Sequence, residues 1–224
     1  MKHFLLFLGS NLLVASLAQA QVGVRAGTNL LNLRPEAAGA RPSTSNKLGY
    51  QVGIFYQQPL TKHLSLVPEV QFSREQTQVE YADVRNEQNY LRGSYDLHWS
   101  HINVPVLLRY TLGRVHFEAG PQASLLVGGR GTGQLASLSG GDILGDRNID
   151  QSAIGRYRRV SFGASLGVGV SLPAGLGIDV RAYQGFSSIN HDTPSQENTA
   201  IPYWGGAMNR QTLQASLTYQ LASR

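Results

Sequence analysis

The chain of 224 residues contains no cysteine, which excludes a disulfide scaffold and any thiolate metal site. Charge is scarce as well, at 15% of residues, against roughly 25% in ordinary soluble domains. Its net value of +5 is scattered rather than clustered, which argues against nucleic acid as a partner. After the N-terminal segment, no apolar run approaches the roughly 20 residues that a membrane-spanning helix needs. What the chain has in quantity is glycine, 25 residues of it.

The N-terminus opens with Lys2 and His3, continues through an apolar stretch from Phe4 to Leu17, and closes with Ala18-Gln19-Ala20. This three-part layout predicts a secretory signal peptide over 1–20, with one domain over 21–224 beginning at Gln21. An exported chain without spanning helices is either soluble or a closed β-barrel, because only helices and barrels satisfy their backbone in lipid.

Period-two alternation decides between the two. From Val160 to Leu172, the apolar residues Val160, Phe162, Ala164, Leu166, Val168, Val170 and Leu172 interleave with glycine and serine only. A strand points successive side chains to opposite faces, so this segment has one apolar and one small, polar face. The same phase recurs in seven further predicted strands: Val22–Leu30, Leu48–Gln57, one beginning at Leu64, Ser100–Thr111, Val115–Val127, Leu176–Phe186 and Thr212–Leu221. Connections after the first, third, fifth and seventh strands are long, about 17, 26, 31 and 25 residues, and the others are short turns, the arrangement of outer-membrane barrels. The expected fold is an all-β, eight-stranded antiparallel up-and-down transmembrane barrel with short periplasmic turns and four long extracellular loops. Pro68, Pro105 and Pro121 fall inside these strands, where a ladder normally resists proline, so bulges or displaced strand ends are expected there.

The face opposite the apolar one carries Arg25, Glu69, Arg109, Glu118, Asp179 and Arg181. Eight strands leave an interior only wide enough for side chains, and buried charges must be paired, so a salt-bridged, largely filled lumen is expected. A small passive pore is the alternative that the inward glycines suggest. On the outer face, Tyr56, Tyr110, Phe117 and Tyr219 fall near the turn end, while Phe72, Phe162 and Phe186 fall near the loop end. These two sets are the expected aromatic girdles.

Three constellations bear on chemistry. His98, Ser100 and His101, with His191-Asp192, could serve an outer-leaflet lipid hydrolase or acyltransferase, and the same histidines could be metal ligands. The bland reading, rim residues at the headgroup level, is preferred for both. Gly128-Gly129-Arg130-Gly131-Thr132-Gly133 looks superficially like a phosphate loop, but it lacks the Lys-Ser/Thr ending and a following helix, and it is assigned to an extracellular loop. Tyr81, Tyr90, Tyr95, Trp99, Tyr203 and Trp204 could form a recognition surface, or mark strands extending above the membrane.

The run His101-Ile102-Asn103-Val104-Pro105-Val106-Leu107-Leu108-Arg109-Tyr110, followed after a short turn by Phe117-Glu118-Ala119-Gly120-Pro121, resembles the central hairpin of the PorT-like outer-membrane β-barrel family of Gram-negative bacteria. Val22-Gly23-Val24-Arg25-Ala26-Gly27 fits the same pattern. The resemblance implies an eight-stranded barrel of the outer membrane without an assigned biochemical activity. The reading is therefore a non-enzymatic scaffold that displays loops, without cofactor, metal or catalytic residues. Its expected partners are outer-membrane lipid and lipopolysaccharide, and an envelope protein at the loops.

Overall fold

A computed structural model describes residues 21–35, 43–84, 89–139, 142–152, 154, 157–188 and 208–221. They form nine strands: β1 (Gln21–Pro35), β2 (Ser43–Pro59), β3 (Leu64–Val84), β4 (Asn89–Leu112), β5 (Val115–Ser139), β6 (Asp142–Ser152), β7 (Val160–Ser171), β8 (Leu176–Gly185) and β9 (Met208–Gln220). Their order is β4-β3-β2-β1-β9-β8-β7-β5-β6, and a further β4–β5 pairing closes the sheet. Leaving aside β6, which pairs with β5 alone, eight antiparallel strands complete a ring in which each lies beside its sequence neighbour. This is the up-and-down barrel that the alternation predicts, and closure leaves its wall without an unpaired edge.

The period-two signal becomes two faces because every described strand of the wall keeps its phase. In β7, Val160, Phe162, Leu166, Val168 and Val170 are exposed, whereas Ser161 and Ser165 are buried. The other strands behave alike: Leu48, Val52 and Ile54 in β2 and Leu213 and Leu217 in β9 face out, while Gln51 and Gln214 are buried. A band of exposed Val, Leu, Ile and Phe around a polar interior is inverted with respect to a water-soluble core.

The turns at one end are tight. Leu112 and Val115 pair across a turn in which Gly113 takes φ +61°, a conformation open to glycine at no steric cost. Between β7 and β8, a single 3-10 turn over Pro173–Gly175 places Ala174 at φ +61° and Gly175 at φ +77°. In the β2–β3 turn, the backbone N–H groups of His63 and Leu64 donate to Thr61 Oγ1 at 3.3 and 3.1 Å.

The other end differs from the expectation. The connections after the third and fifth predicted strands are largely strand themselves. β3 and β4 remain paired as far as Val84 opposite Tyr90, and β5 continues into a hairpin with β6. From Phe72 to Val84 this adds about 40 Å of strand at ~3.4 Å per residue. Gly128 to Gly133 accordingly lies on β5, with Gly128 opposite Ser100 and Gly133 opposite both Tyr95 and Ile149, and not in a loop. Apolar alternation stops where the outer face leaves lipid, so it could not report these extensions.

The three prolines stay within strands without a bulge. Ladder pairs are missing for two residues beside Pro68 and Pro105, and pairing then resumes in the same register at Gln71–Asn103 and Leu108–Ala119. The register shifts lie elsewhere, at Lys47/Tyr50, Ser100/His101 and Ser137/Leu138. Residues 1–20, the predicted signal peptide, lie outside the described residues, as do His191, Asp192, Tyr203 and Trp204. Among the described residues, no helix is long and apolar enough to cross a membrane.

Candidate functional site

The six predicted lumen charges converge. Arg25 on β1, Glu69 on β3, Arg109 on β4, Glu118 on β5, and Asp179 and Arg181 on β8 are each 6% exposed or less. Glu118 is the hub: Arg109 Nε donates to its Oε1 at 2.8 Å and Arg181 Nη2 to its Oε2 at 2.7 Å. Arg181 Nη1 also donates to Glu69 Oε2 at 3.1 Å. Arg25 lies between three carboxylates, 3.4 Å from Glu69, 3.9 Å from Glu118 and 3.8 Å from Asp179. Three guanidiniums thus face three carboxylates, the arrangement that buried charge requires.

Glycine makes these contacts possible across intervening strands. Gly167 on β7 stands between Glu118 and Arg181 in the ladder, and Gly169 stands between His116 and Asp179. His116 Nε2 and Asp179 Oδ1 meet at 2.6 Å directly over Gly169, where a Cβ would come within 2.2 Å of the carboxylate oxygen. The Gly/Ser face of β7 is therefore a trough that lets β5 and β8 bond to each other over it. Gly23 and Gly163 serve likewise as floors for rings: added Cβ atoms would meet Phe55 at 2.2 Å and Tyr183 at 2.6 Å.

Towards the turn end, Phe55, Val67 and Leu107 form a buried apolar cluster, and the Arg109 guanidinium lies 5.6 Å from the Phe55 ring centroid. Towards the loop end stands a second ion pair. Arg210 on β9 grips Glu75 on β3, donating through Nε at 2.8 Å and through Nη2. Arg210 also lies 4.9 Å from the Tyr183 ring centroid. Between the two charged layers runs an amide and hydroxyl chain. Asn103 Nδ2 donates to Ser73 at 2.9 Å, Ser124 Oγ to Asn103 Oδ1 at 2.7 Å, and Ser165 Oγ to Gln122 Oε1 at 2.8 Å.

Sequence reasoning missed Glu75, Arg210, His116 and the apolar cluster. His116 has the inward parity of Glu118 and was legible. Glu75 and Arg210 lie just beyond the predicted strand ends. Phe55, Val67 and Leu107 are embedded in the runs Ile54-Phe55-Tyr56, Leu66-Val67 and Leu107-Leu108, where apolar residues on both faces hide the alternation.

Among the described residues, His98, Ser100 and His101 of the candidate catalytic set do not share one face of the wall. His101 is buried and faces inward, with its Nδ1 3.7 Å from Glu75 Oε2, whereas His98, three residues away on the same strand, has the opposite parity. The two histidines cannot share a metal or a substrate on one face, which corrects that reading. Ser100 also has the outward parity. His116, Glu118 and Asp179 bring ligand atoms within 4.8 Å of one another. However, both carboxylates already accept bonds from Arg109, Arg181 and His116, which describes an ion-pair network better than a cation site.

On the outer face, the seven predicted girdle aromatics fall at two levels of the wall. Tyr110 and Phe117 pair across strands near the β4–β5 turn, and Tyr219 pairs with Leu176 at the β7–β8 turn. Tyr56 also lies near the turn end of its strand, opposite Val22. Phe162 and Phe186 are 60% and 69% exposed at the opposite end. Phe72 lies there too, its ring centroid 6.3 Å from that of Tyr50.

Residues 15–190 match the family model described as outer membrane protein beta-barrel domain. Among solved structures, the chain is similar to the attachment invasion locus protein Ail of Yersinia pestis, with 10% identity, 90% of this chain and 99% of that one covered, and a TM-score of 0.44. It is similar to Neisserial surface protein A, with 12% identity, 90% and 99% covered, and a TM-score of 0.43. It is similar also to OprG of Pseudomonas aeruginosa, with 12% identity, 90% and 96% covered, and a TM-score of 0.40. Comparison with curated proteins gave no match. With the family model spanning most of the chain over a closed barrel of inverted polarity, the protein belongs to the outer membrane protein beta-barrel domain family and resides in the bacterial outer membrane.

Proposed function

We propose that the protein is a non-enzymatic scaffold of the outer membrane, with a filled lumen, that presents its long connections to a partner outside the cell. The observation that carries this reading is the crossing of the lumen by the Glu118-centred network, stacked on the Phe55-Val67-Leu107 cluster. Side chains that must stay paired occupy the interior of an eight-stranded barrel, which supports a filled lumen over an open pore. The function then belongs to the loop end, where β3–β4 and β5–β6 project as paired ribbons. The hairpin of β4 and β5 further supports a place in the PorT-like branch. In this reading the aromatic girdles and the exposed apolar band contact outer-membrane lipid and lipopolysaccharide, and an envelope protein binds the ribbons.

Planar-bilayer recording of the refolded protein tests the filled lumen, with the absence of stable open steps as the expected result. Large steady conductance refutes it in favour of a pore. Assay on labelled phospholipid tests the non-enzymatic reading, which turnover lost on His101→Ala would overturn. A pull-down from outer-membrane extract with and without the β5–β6 ribbon tests the partner: a protein retained only by the full chain is the expected outcome.

A further inference from the structure

At the loop-end mouth, a small pocket is lined by Trp99 and His101 of β4, Ser161 of β7, Arg210 of β9, and Tyr157 and Arg158 of the segment leading into β7. The segment is held in place: Leu126 N donates to Arg159 O at 2.7 Å, and the Tyr157 ring packs edge-on against Trp99 at 4.6 Å. The lining contains two guanidiniums and, among the described residues, no carboxylate. Arg210 spends Nε and Nη2 on Glu75, which fixes the guanidinium and leaves Nη1 buried without a hydrogen-bond partner. Trp99 is 2% exposed, and its Nε1–H, which can only donate, also has none.

A buried donor without an acceptor costs free energy comparable to a lost hydrogen bond. Here two such donors, one on a guanidinium whose charge Glu75 offsets, belong to residues lining one half-open pocket beside the Arg158 guanidinium. The complement of that set is an acceptor with negative charge. The free space takes about one water-sized group, so one terminal oxygen enters while the rest of the ligand remains in the mouth. We infer that this pocket is a recognition site for a small oxyanion of the phosphoryl class, a terminal phosphate presented from the extracellular side. The lining faces the lumen and not the lipid belt, which favours a soluble phosphate over a bilayer headgroup. The inference does not depend on whether the ribbons bind a protein.

The test uses the full mature chain in detergent with Trp204→Phe, which leaves Trp99 as the one indole of the two in the sequence. Its Nε1–H resonance is followed while inorganic phosphate is added at constant ionic strength set with chloride. The expected result is a saturable shift with phosphate and none with chloride, with affinity weakened about tenfold by Arg158→Gln. Trp99→Phe, followed by calorimetry, should lose binding with the barrel fold retained. Equal shifts with both anions, or none with phosphate, would overturn the assignment. A shift in nanodiscs of phosphatidylglycerol, without one from inorganic phosphate, would overturn it too, because a headgroup reaches the outer wall and not the lumen.

Discussion

Glu118→Gln removes one negative charge from the centre of the lumen and leaves shape and volume almost unchanged. In the native barrel the Glu118 side chain is 2% exposed and accepts three short bonds, two from Arg109 and one from Arg181, with Arg25 3.9 Å away. After substitution, three guanidiniums face only Glu69 and Asp179. Breaking a buried pair typically costs about 3–5 kcal/mol, because the surviving charge is left uncompensated. Glutamine retains one acceptor oxygen, which places the expected loss near the lower end, about 3 kcal/mol. This corresponds to roughly a hundredfold shift in the folding equilibrium. Urea unfolding in lipid vesicles, followed by tryptophan fluorescence and by the heat-modifiable gel shift of barrels, measures it. The double variant Glu118→Gln/Arg181→Met should recover much of the loss, since it restores a balance of two guanidiniums, Arg25 and Arg109, to two carboxylates, Glu69 and Asp179. A single-variant loss below about 1 kcal/mol, a value typical of exposed pairs, would refute the view that Glu118 holds the lumen together.

The remaining predictions probe other layers of the molecule. Gly169→Ala places a methyl 2.2 Å from Asp179 Oδ1 and 2.4 Å from His116 Nε2, so it should destabilise the barrel by about 1–3 kcal/mol, whereas Gly128→Ala, with its nearest atom at 3.4 Å, should be close to neutral. Leu166→Arg, midway along β7 and 64% exposed to the lipid side, should cost about 2–4 kcal/mol in vesicle unfolding; a neutral outcome would contradict a membrane-facing wall. In the β5–β6 ribbon, hydrogen bonds from Arg130 hold the Asp150 carboxyl below its usual range. The depressed value means that the contact contributes above the unfolded pKa of about 3.9 and is lost as pH falls through and below it. Amide exchange in β6 should therefore accelerate in acid while the barrel strands stay protected, and Asp150→Asn should remove that pH dependence.

Most of the membrane wall was legible because lipid outside and polar side chains inside impose opposite demands on alternate residues. Val160 to Leu172 shows this most plainly, and Arg25, Glu69, Arg109, Glu118, Asp179 and Arg181 followed from parity alone. Legibility failed where one demand lapsed. Above the lipid belt the outer face is wet, so β3, β4 and β5 continue without an apolar signal, and Glu75 and Arg210 fell beyond the predicted ends. Near the turns both faces are apolar, so Phe55, Val67 and Leu107 were hidden among their neighbours. His98 and His101 look paired in sequence, yet an odd spacing on a strand sends them to opposite faces.

The sequence by itself determined the location, the inverted polarity, the strand phase and the inward set of charges, because each depends on local periodicity. Only the tertiary structure decided which charges meet. Arg181 reaches Glu118 over Gly167, and His116 reaches Asp179 over Gly169, because the closed ladder sets β5 and β8 on either side of a β7 strand without side chains at those points. It likewise decided that Arg210, from the last strand, closes on Glu75, from the third, and lines the same pocket as Trp99 in the mouth. Such pairings join residues 63 to 135 positions apart, and ring closure rather than any local pattern brings them within bonding distance.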